Sequence, residues 1–323
     1  MKQALFWSGR EAATVQHNKS TTNTTETGSA LAAASTVQPP ASARIIALAN
    51  QKGGVGKTTT AINLATALAA VKKRVLLIDL DPQANATTGL GISHRIREQG
   101  TYSALIEGIP IQDLLCPSLV PHLDVLPATT NLLGAELELV SFATREQLLR
   151  RALMPLRSSY DYILIDCPPA LGLLTLNALV GADSVLIPVQ CEYYALEGLS
   201  QLMRTIERVR GLFNRALELQ GILLTMYDRR NNLCDVVAED VRHHFGAKVY
   251  TTPIPRNIRI SEAPSHGKPV ILYDTKCVGS KAYIELASEV LTQEKARLAA
   301  MKPHVTIAAT DQTPHTLINK IIA

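Results

Sequence analysis

Lys52-Gly53-Gly54-Val55-Gly56-Lys57-Thr58-Thr59 is the stretch on which the reading of this chain turns. A phosphate-binding loop runs G-x-x-x-x-G-K-[ST] between a strand and a helix. Gly56, Lys57 and Thr58 supply its last three positions, but Gln51 stands where the first glycine belongs, and a second lysine, Lys52, follows it. Gly53, Gly54 and Gly56 allow backbone angles closed to other residues. The N–H groups from Gly53 through Val55 to Thr59 can then wrap phosphate oxygens at the positive end of a helix. Lys57 is expected to reach the β- and γ-phosphates and the Thr58 hydroxyl to bind Mg²⁺. Lys52 has no place in that arrangement and needs a role of its own.

Around the loop the sequence alternates. Short runs rich in Val, Ile and Leu cover residues 45–49, 74–79, 123–127, 162–166, 184–189 and 221–226, as expected of strands buried on both faces. Helical stretches at 58–71, 132–156, 173–180, 197–214 and 236–245 lie between most of them, and a last one covers about 280–301. This order predicts a single-domain α/β P-loop NTPase: a mostly parallel sheet with helices on both faces and its ligand at the carboxyl ends of the strands. The ATPase domain is expected over 44–301. Residues 1–43, rich in Ser, Thr and Ala, read as a disordered extension with no secretory h-region, and 302–323 as a weakly patterned tail.

Hydrophobic residues make up 46% of the chain, enough for a buried core. No apolar run nears the roughly 18 residues that span a bilayer, so a soluble, cytoplasmic protein is expected. The five cysteines are scattered, without a C-x-x-C pair, which argues against a disulfide framework or a sequence-local zinc site. A formal charge of +4 permits contact with nucleic acid without demanding it.

A magnesium nucleotide also needs carboxylates at strand ends. Asp166 closes the apolar run at 162–166 and reads as the acid that orients the metal through water. Asp79 and Asp81 end the run at 74–79 and project to one side. Asp81 is placed to position the attacking water; Asp79 fits either the metal shell or a structural turn.

These motifs together resemble the ParA/MinD ATPases. Residues 50–63 look like that family's deviant phosphate loop. The stretch Asp79-Leu-Asp-Pro-Gln-Ala-Asn-Ala-Thr87 is similar to switch I of the ParA/Soj branch, residues 166–172 to its switch II, and residues 255–267 to a late ParA/Soj motif. The MinD branch lacks the Asp-Pro-Gln element. The resemblance implies an ATP-bound homodimer in which Lys52 reaches across to the partner's phosphates, as an arginine finger does. It implies close approach of the two loops at Gly53, catalysis by Lys52, Lys57 and Asp81, and an adenine lined by Pro255 and Asn257. Arg230 and Arg259 match DNA-contacting arginines, giving sequence-tolerant binding of double-stranded DNA on the nucleoid. A ParB-like protein is implied as the partner that stimulates hydrolysis, in chromosome or plasmid segregation. Ala84 departs from the pattern, which has glycine there.

Two other readings follow from the same superfamily. A MinD-like membrane-cycling ATPase needs a basic amphipathic C-terminal helix, and residues 316–323 carry a single basic residue, Lys320, so stable membrane anchoring is not expected. An iron–sulfur reductase needs paired cysteines at the dimer axis; Cys167 in switch II has no evident partner and is expected to pack in the core.

Overall fold

The structure, a computed structural model, describes residues 42–93 and 98–301. The expectations for residues 1–41 and 302–323, including the C-terminal tail, lie outside these. The sheet has seven strands: β1 (Arg44–Leu48), β2 (Val75–Asp79), β3 (Cys116–Pro117), β4 (Leu123–Leu126), β5 (Tyr162–Asp166), β6 (Ser184–Gln190) and β7 (Glu218–Thr225). Their order is β3-β4-β2-β5-β1-β6-β7, and every pairing is parallel except that of the short edge strand β3 with β4.

The continuous apolar runs of the sequence are explained by two cores, one on each face. Ile45, Ala47, Leu76, Ile78, Ile163 and Ile165 point into one core, while the alternating Ile46, Leu48, Val75, Leu77 and Leu164 point into the other. The second core is closed by α1 (Lys57–Ala70) and by α10 (Val278–Met301), whose Tyr283 and Leu286 are fully buried. The short helices α2 (Asn85–Gly89) and α9 (Val270–Tyr273) add Ala86, Val270 and Ile271 to it. The first core is closed by α3 (Leu132–Leu139), α4 (Leu148–Leu153), α5 (Leu173–Gly181), α6 (Ala195–Leu212) and α7 (Asn232–Phe245).

The sequence predicts one helix over 132–156, and the chain instead breaks between α3 and α4. The break is held by the fully buried Asn177 of α5. Its Nδ2 donates to the Arg145 carbonyl at 2.6 Å and its Oδ1 accepts from Leu149 N–H at 3.1 Å, so one side chain replaces the hydrogen bonds lost at the interruption. Residues 255–267 fold as a chain of short turns around α8 (Ile258–Glu262). They are followed by α9, which is tied down by Ser280, whose hydroxyl donates to the Val270 and Asp274 carbonyls.

α2 ends against this late segment with no room between them. Gly91 (φ 79°) and Gly267 (φ 62°) face each other, and a Cβ on Gly91 would lie 2.9 Å from the Gly267 carbonyl oxygen. A left-handed alanine costs about 1–2 kcal/mol and overpacking about 1–3 more. Gly91→Ala should therefore destabilise the protein by about 2–4 kcal/mol, seen as a lower urea midpoint with an unchanged m-value.

Candidate active site

Because the strands run parallel, the carboxyl ends of β1, β2, β5, β6 and β7 open on one rim. The phosphate loop lies there, between β1 and α1. Asn50 sets its entry: Nδ2 donates to the Pro188 carbonyl at 2.7 Å and Oδ1 accepts from Lys52 N–H at 3.0 Å. Thr225, the last residue of β7, donates its hydroxyl to the Val55 carbonyl at 2.8 Å and holds the far side. Gly54 (φ 75°) and Gly56 (φ 86°) occupy left-handed backbone. Gly53 does not, and a Cβ there would meet nothing within 4 Å, so neither backbone nor packing within the subunit requires glycine at that position.

The two lysines point to different tasks. Lys57 is buried, and its ammonium donates to the Lys52 carbonyl at 3.0 Å. Burial lowers its pKa, against the pull of Asp166, Cys167 and Asp81. The Lys52 side chain is half exposed, its ammonium 2.5 Å from Glu192 Oε1 just beyond β6. Glu192 and Thr225 are neighbours of the loop that the motif does not name, and Asn50, the motif's first residue, gains its part from Pro188 on β6. Glu192 bears the same mark as Asp81 and Asp166, an acid at a strand end; Thr225 serves the loop only through the tertiary fold.

Asp79 and Asp166 are register partners at the ends of β2 and β5, and both are fully buried. Asp79 is occupied: Oδ2 accepts from Thr87 N–H at 2.8 Å and Thr87 Oγ1 at 2.6 Å, and Oδ1 from Asp81 N–H at 3.2 Å. Burial lifts its pKa to about 6, with the Thr87 and Asp81 hydrogen bonds opposing the rise. Of the two sequence readings of Asp79, the structural one describes its contacts. Neither oxygen of Asp166 accepts a hydrogen bond of good geometry. Burial raises its pKa well above the carboxylate range and the Asp79 charge adds to this; the nearby Thr58 hydroxyl opposes it.

A buried carboxylate without donors beside a threonine hydroxyl fits a divalent cation. Among the described residues no cluster of three or more His, Cys, Asp or Glu could hold an ion alone. An ion between Thr58 and Asp166 would thus take its other ligands from phosphate and water, the habit of Mg²⁺.

Asp81 sits at the mouth of this pair, 7% exposed, its Oδ1 accepting from Gln83 N–H at 3.0 Å. Ala84, three residues on, has φ 55° and precedes α2 in a left-handed conformation. That explains why glycine suits the position. The alanine carries strain of about 1–2 kcal/mol, offset in part by burying its methyl, 3% exposed, in the core.

Beside the loop opens a cavity of about 410 Å³, lined by Gly56, Thr59, Met226, Pro255, Asn257 and Tyr283 among others. It brings the loop together with both residues expected to line a base. Asn257 also starts α8, its side chain accepting from Arg259 N–H at 2.9 Å. A roomier cavity of about 630 Å³ lies along the β3 edge, lined by Leu90, Asp113 and Leu119, and contains no phosphate-loop residue. Cys167 is fully buried in the core, its thiol pushed up by burial.

Arg230 lies in the loop after β7 and Arg259 in α8, two adjoining segments joined where Tyr227 bridges Pro255 and Arg256 N–H donates to the Tyr227 carbonyl at 3.1 Å. Both arginines are exposed and both are paired, Arg230 with Asp228 and Arg259 with Glu262 and Asp274.

Fold and rim together define a P-loop nucleoside triphosphatase with a surplus lysine in its loop. A family model described as an AAA domain matches residues 43–219. The chain is 59% identical over 258 residues to the chromosome partitioning protein ParA of Caulobacter vibrioides, covering 79% of this chain and 97% of that one. It is 57% identical to the sporulation initiation inhibitor protein Soj of Bacillus subtilis, covering 76% and 98%. Among solved structures it resembles a cobyrinic acid a,c-diamide synthase from Mycobacterium smegmatis with bound ADP and magnesium, at TM-score 0.70 and 38% identity, covering 79% of this chain and 96% of that one. The chain belongs to the ParA/Soj family of chromosome-partitioning ATPases, and its enzymatic activity is ATP hydrolysis.

Asp166 separates stability from function. Asp166→Asn should leave the ligand-free melting temperature unchanged or higher, because it removes a carboxyl that is costly to ionise where it is buried. The same change should abolish most of the melting-temperature rise that Mg²⁺ and ATP give the unaltered protein. A full-sized rise in the variant would remove Asp166 from the metal site.

Proposed function

We propose that this ATPase works as a DNA-partitioning switch that dimerises on ATP, and the observation that carries this is the placing of Lys52. Its carbonyl holds the subunit's own catalytic Lys57, while its half-exposed side chain turns away from that site and rests its ammonium on Glu192. A half-exposed lysine that leaves its own subunit's phosphate-binding lysine undisturbed and exchanges Glu192 for phosphate suits another subunit's ATP. Gly53 supports the same reading, since nothing within the subunit crowds it, and a loop from a second copy would.

In the closed dimer each ATP lies along one subunit's loop, its base in the cavity lined by Pro255 and Asn257. Val55, Gly56 and Thr59 offer backbone N–H groups, Lys57 meets the β- and γ-phosphates, and Thr58 and Asp166 hold Mg²⁺. The ion, when bound, neutralises charge on the phosphate oxygens. Asp81 orients the attacking water, and Lys52 from the other subunit stabilises charge on the transferring phosphoryl group. Hydrolysis is slow until a ParB-like partner completes the geometry. The ATP dimer binds double-stranded DNA without sequence preference through Arg230 and Arg259, which places the protein on the nucleoid in the cytoplasm.

Lys52→Ala tests the reading directly. It should leave ATP affinity of the monomer within about twofold and lower partner-stimulated hydrolysis by about 10³-fold or more, the scale of a lost finger residue. DNA co-sedimentation with ATP, ADP or no nucleotide should show binding only with ATP. If Lys52→Ala retains stimulated turnover, the lysine does not act across a dimer. Asp81→Ala should instead accumulate a DNA-bound ATP dimer, measured by light scattering, with turnover reduced at least about 100-fold.

A further inference from the structure

The two loops assigned to DNA carry acids as well as arginines. Arg229, Arg230, Arg256 and Arg259 are exposed there, and Asp228, Glu262 and Asp274 stand among them. The grip on Arg230 is threefold. Its backbone N–H and Nε reach Asp228 Oδ1 at 3.0 and 2.9 Å, and its Nη2 reaches Oδ2 at 2.8 Å, although the arginine side chain is 88% exposed. Arg259 reaches Glu262 at 3.0 Å and Asp274 at 3.6 Å.

We propose that Asp228 is a built-in competitor for DNA phosphate at Arg230, and that Glu262 and Asp274 play the same part at Arg259. This rests on the reading of these loops as the DNA surface. Such an acid has two possible effects on binding. It can hold a guanidinium in position, which helps where direction matters, as in reading a base edge. It also cancels the charge and takes up one fork of the guanidinium, which hinders where charge is what binds. Sequence-tolerant binding to phosphate belongs to the second case, because its free energy comes from counterion release and needs no fixed orientation. The Arg230 hydrogen bonds pull the Asp228 carboxyl down to about 2, so the competitor stays ionised at neutral pH. A lone phosphate or a short anion gains little by displacing it. A duplex presented to both subunits of a dimer engages four such arginines at once, and multivalent contact overcomes competition that single contacts do not. The ledge thereby discriminates in favour of long polyanions and of the dimeric state.

The test is affinity of the full chain, with a non-hydrolysable ATP analogue, for short duplexes of unrelated sequence across a salt series. Asp228→Asn should tighten binding about two- to fivefold at low salt, the range an exposed pair can supply. It should also steepen the log–log salt dependence by up to about one per subunit. Glu262→Gln should do the same more weakly, because Asp274 remains at Arg259. Asp113→Asn makes the same charge change beside the β3 edge, across the sheet from β7, and should alter neither quantity. If Arg230→Ala weakens binding while Asp228→Asn weakens it or leaves it unchanged, the acid is not a competitor, and the DNA surface stands without it. An equal gain from Asp113→Asn reduces the effect to net charge and also overturns the proposal. If Arg230→Ala leaves DNA affinity unchanged, the surface itself is misassigned and the competitor falls with it.

Discussion

Two acids lie side by side, fully buried, at the ends of β2 and β5, and the rest of the site is arranged around that constraint. Burial raises the pKa of both, and the Asp79 charge adds to the rise at Asp166. The protein treats them differently. Asp79 receives hydrogen bonds from Thr87 and Asp81, and Thr87 in turn accepts from Ala128 N–H, so the acid organises the start of switch I. Asp166 receives none of good geometry, which leaves a concentrated demand for positive charge beside Thr58 and Lys57. One acid is tied into the chain that follows β2, and the other is left with a carboxyl that fits a cation, a difference set by the donors each strand end meets.

The fold was legible because its strands are buried on both faces. Alternate residues of β1, β2 and β5 enter opposite cores, so each run reads as apolar without a break, and the parallel order follows from the helices between. The break between α3 and α4 was hidden. Residues 132–156 keep a helical distribution of leucines, and the reason for stopping lies in Asn177, on another element. The short turns of residues 255–273 were equally hidden, since helices of four or five residues have no period to detect and are fixed here by Ser280 and Asn63 from elsewhere in the chain.

The same contrast holds at the site. Lys52, Gly53, Lys57, Thr58, Asp81 and Asp166 belong to sequence-local motifs with a chemical reason for each residue, and the fold brings the phosphate loop and both acids to one rim. Pro255 and Asn257, about 200 residues away in the chain, meet the loop at the cavity beside Gly56. Thr225 escaped because no local pattern marks a residue whose partner is a loop on another strand, and Glu192, although an acid at a strand end, meets Lys52 only through the fold. The arginines were visible as charges, whereas their neutralisation depends on side-chain geometry. The arginines counted alone therefore overstate the field that a distant phosphate meets.

Gly91 and Gly267 add a mechanical consequence. Their backbones touch, with no side chain between to yield. Gly91 follows α2, the short helix after Asp79 and Ala84, and Gly267 closes the segment that begins at Pro255 beside the cavity of about 410 Å³. A displacement of either segment toward the other therefore meets backbone at once, as in a gear with a single tooth on each wheel. Neither glycine can vary alone without jamming that gear.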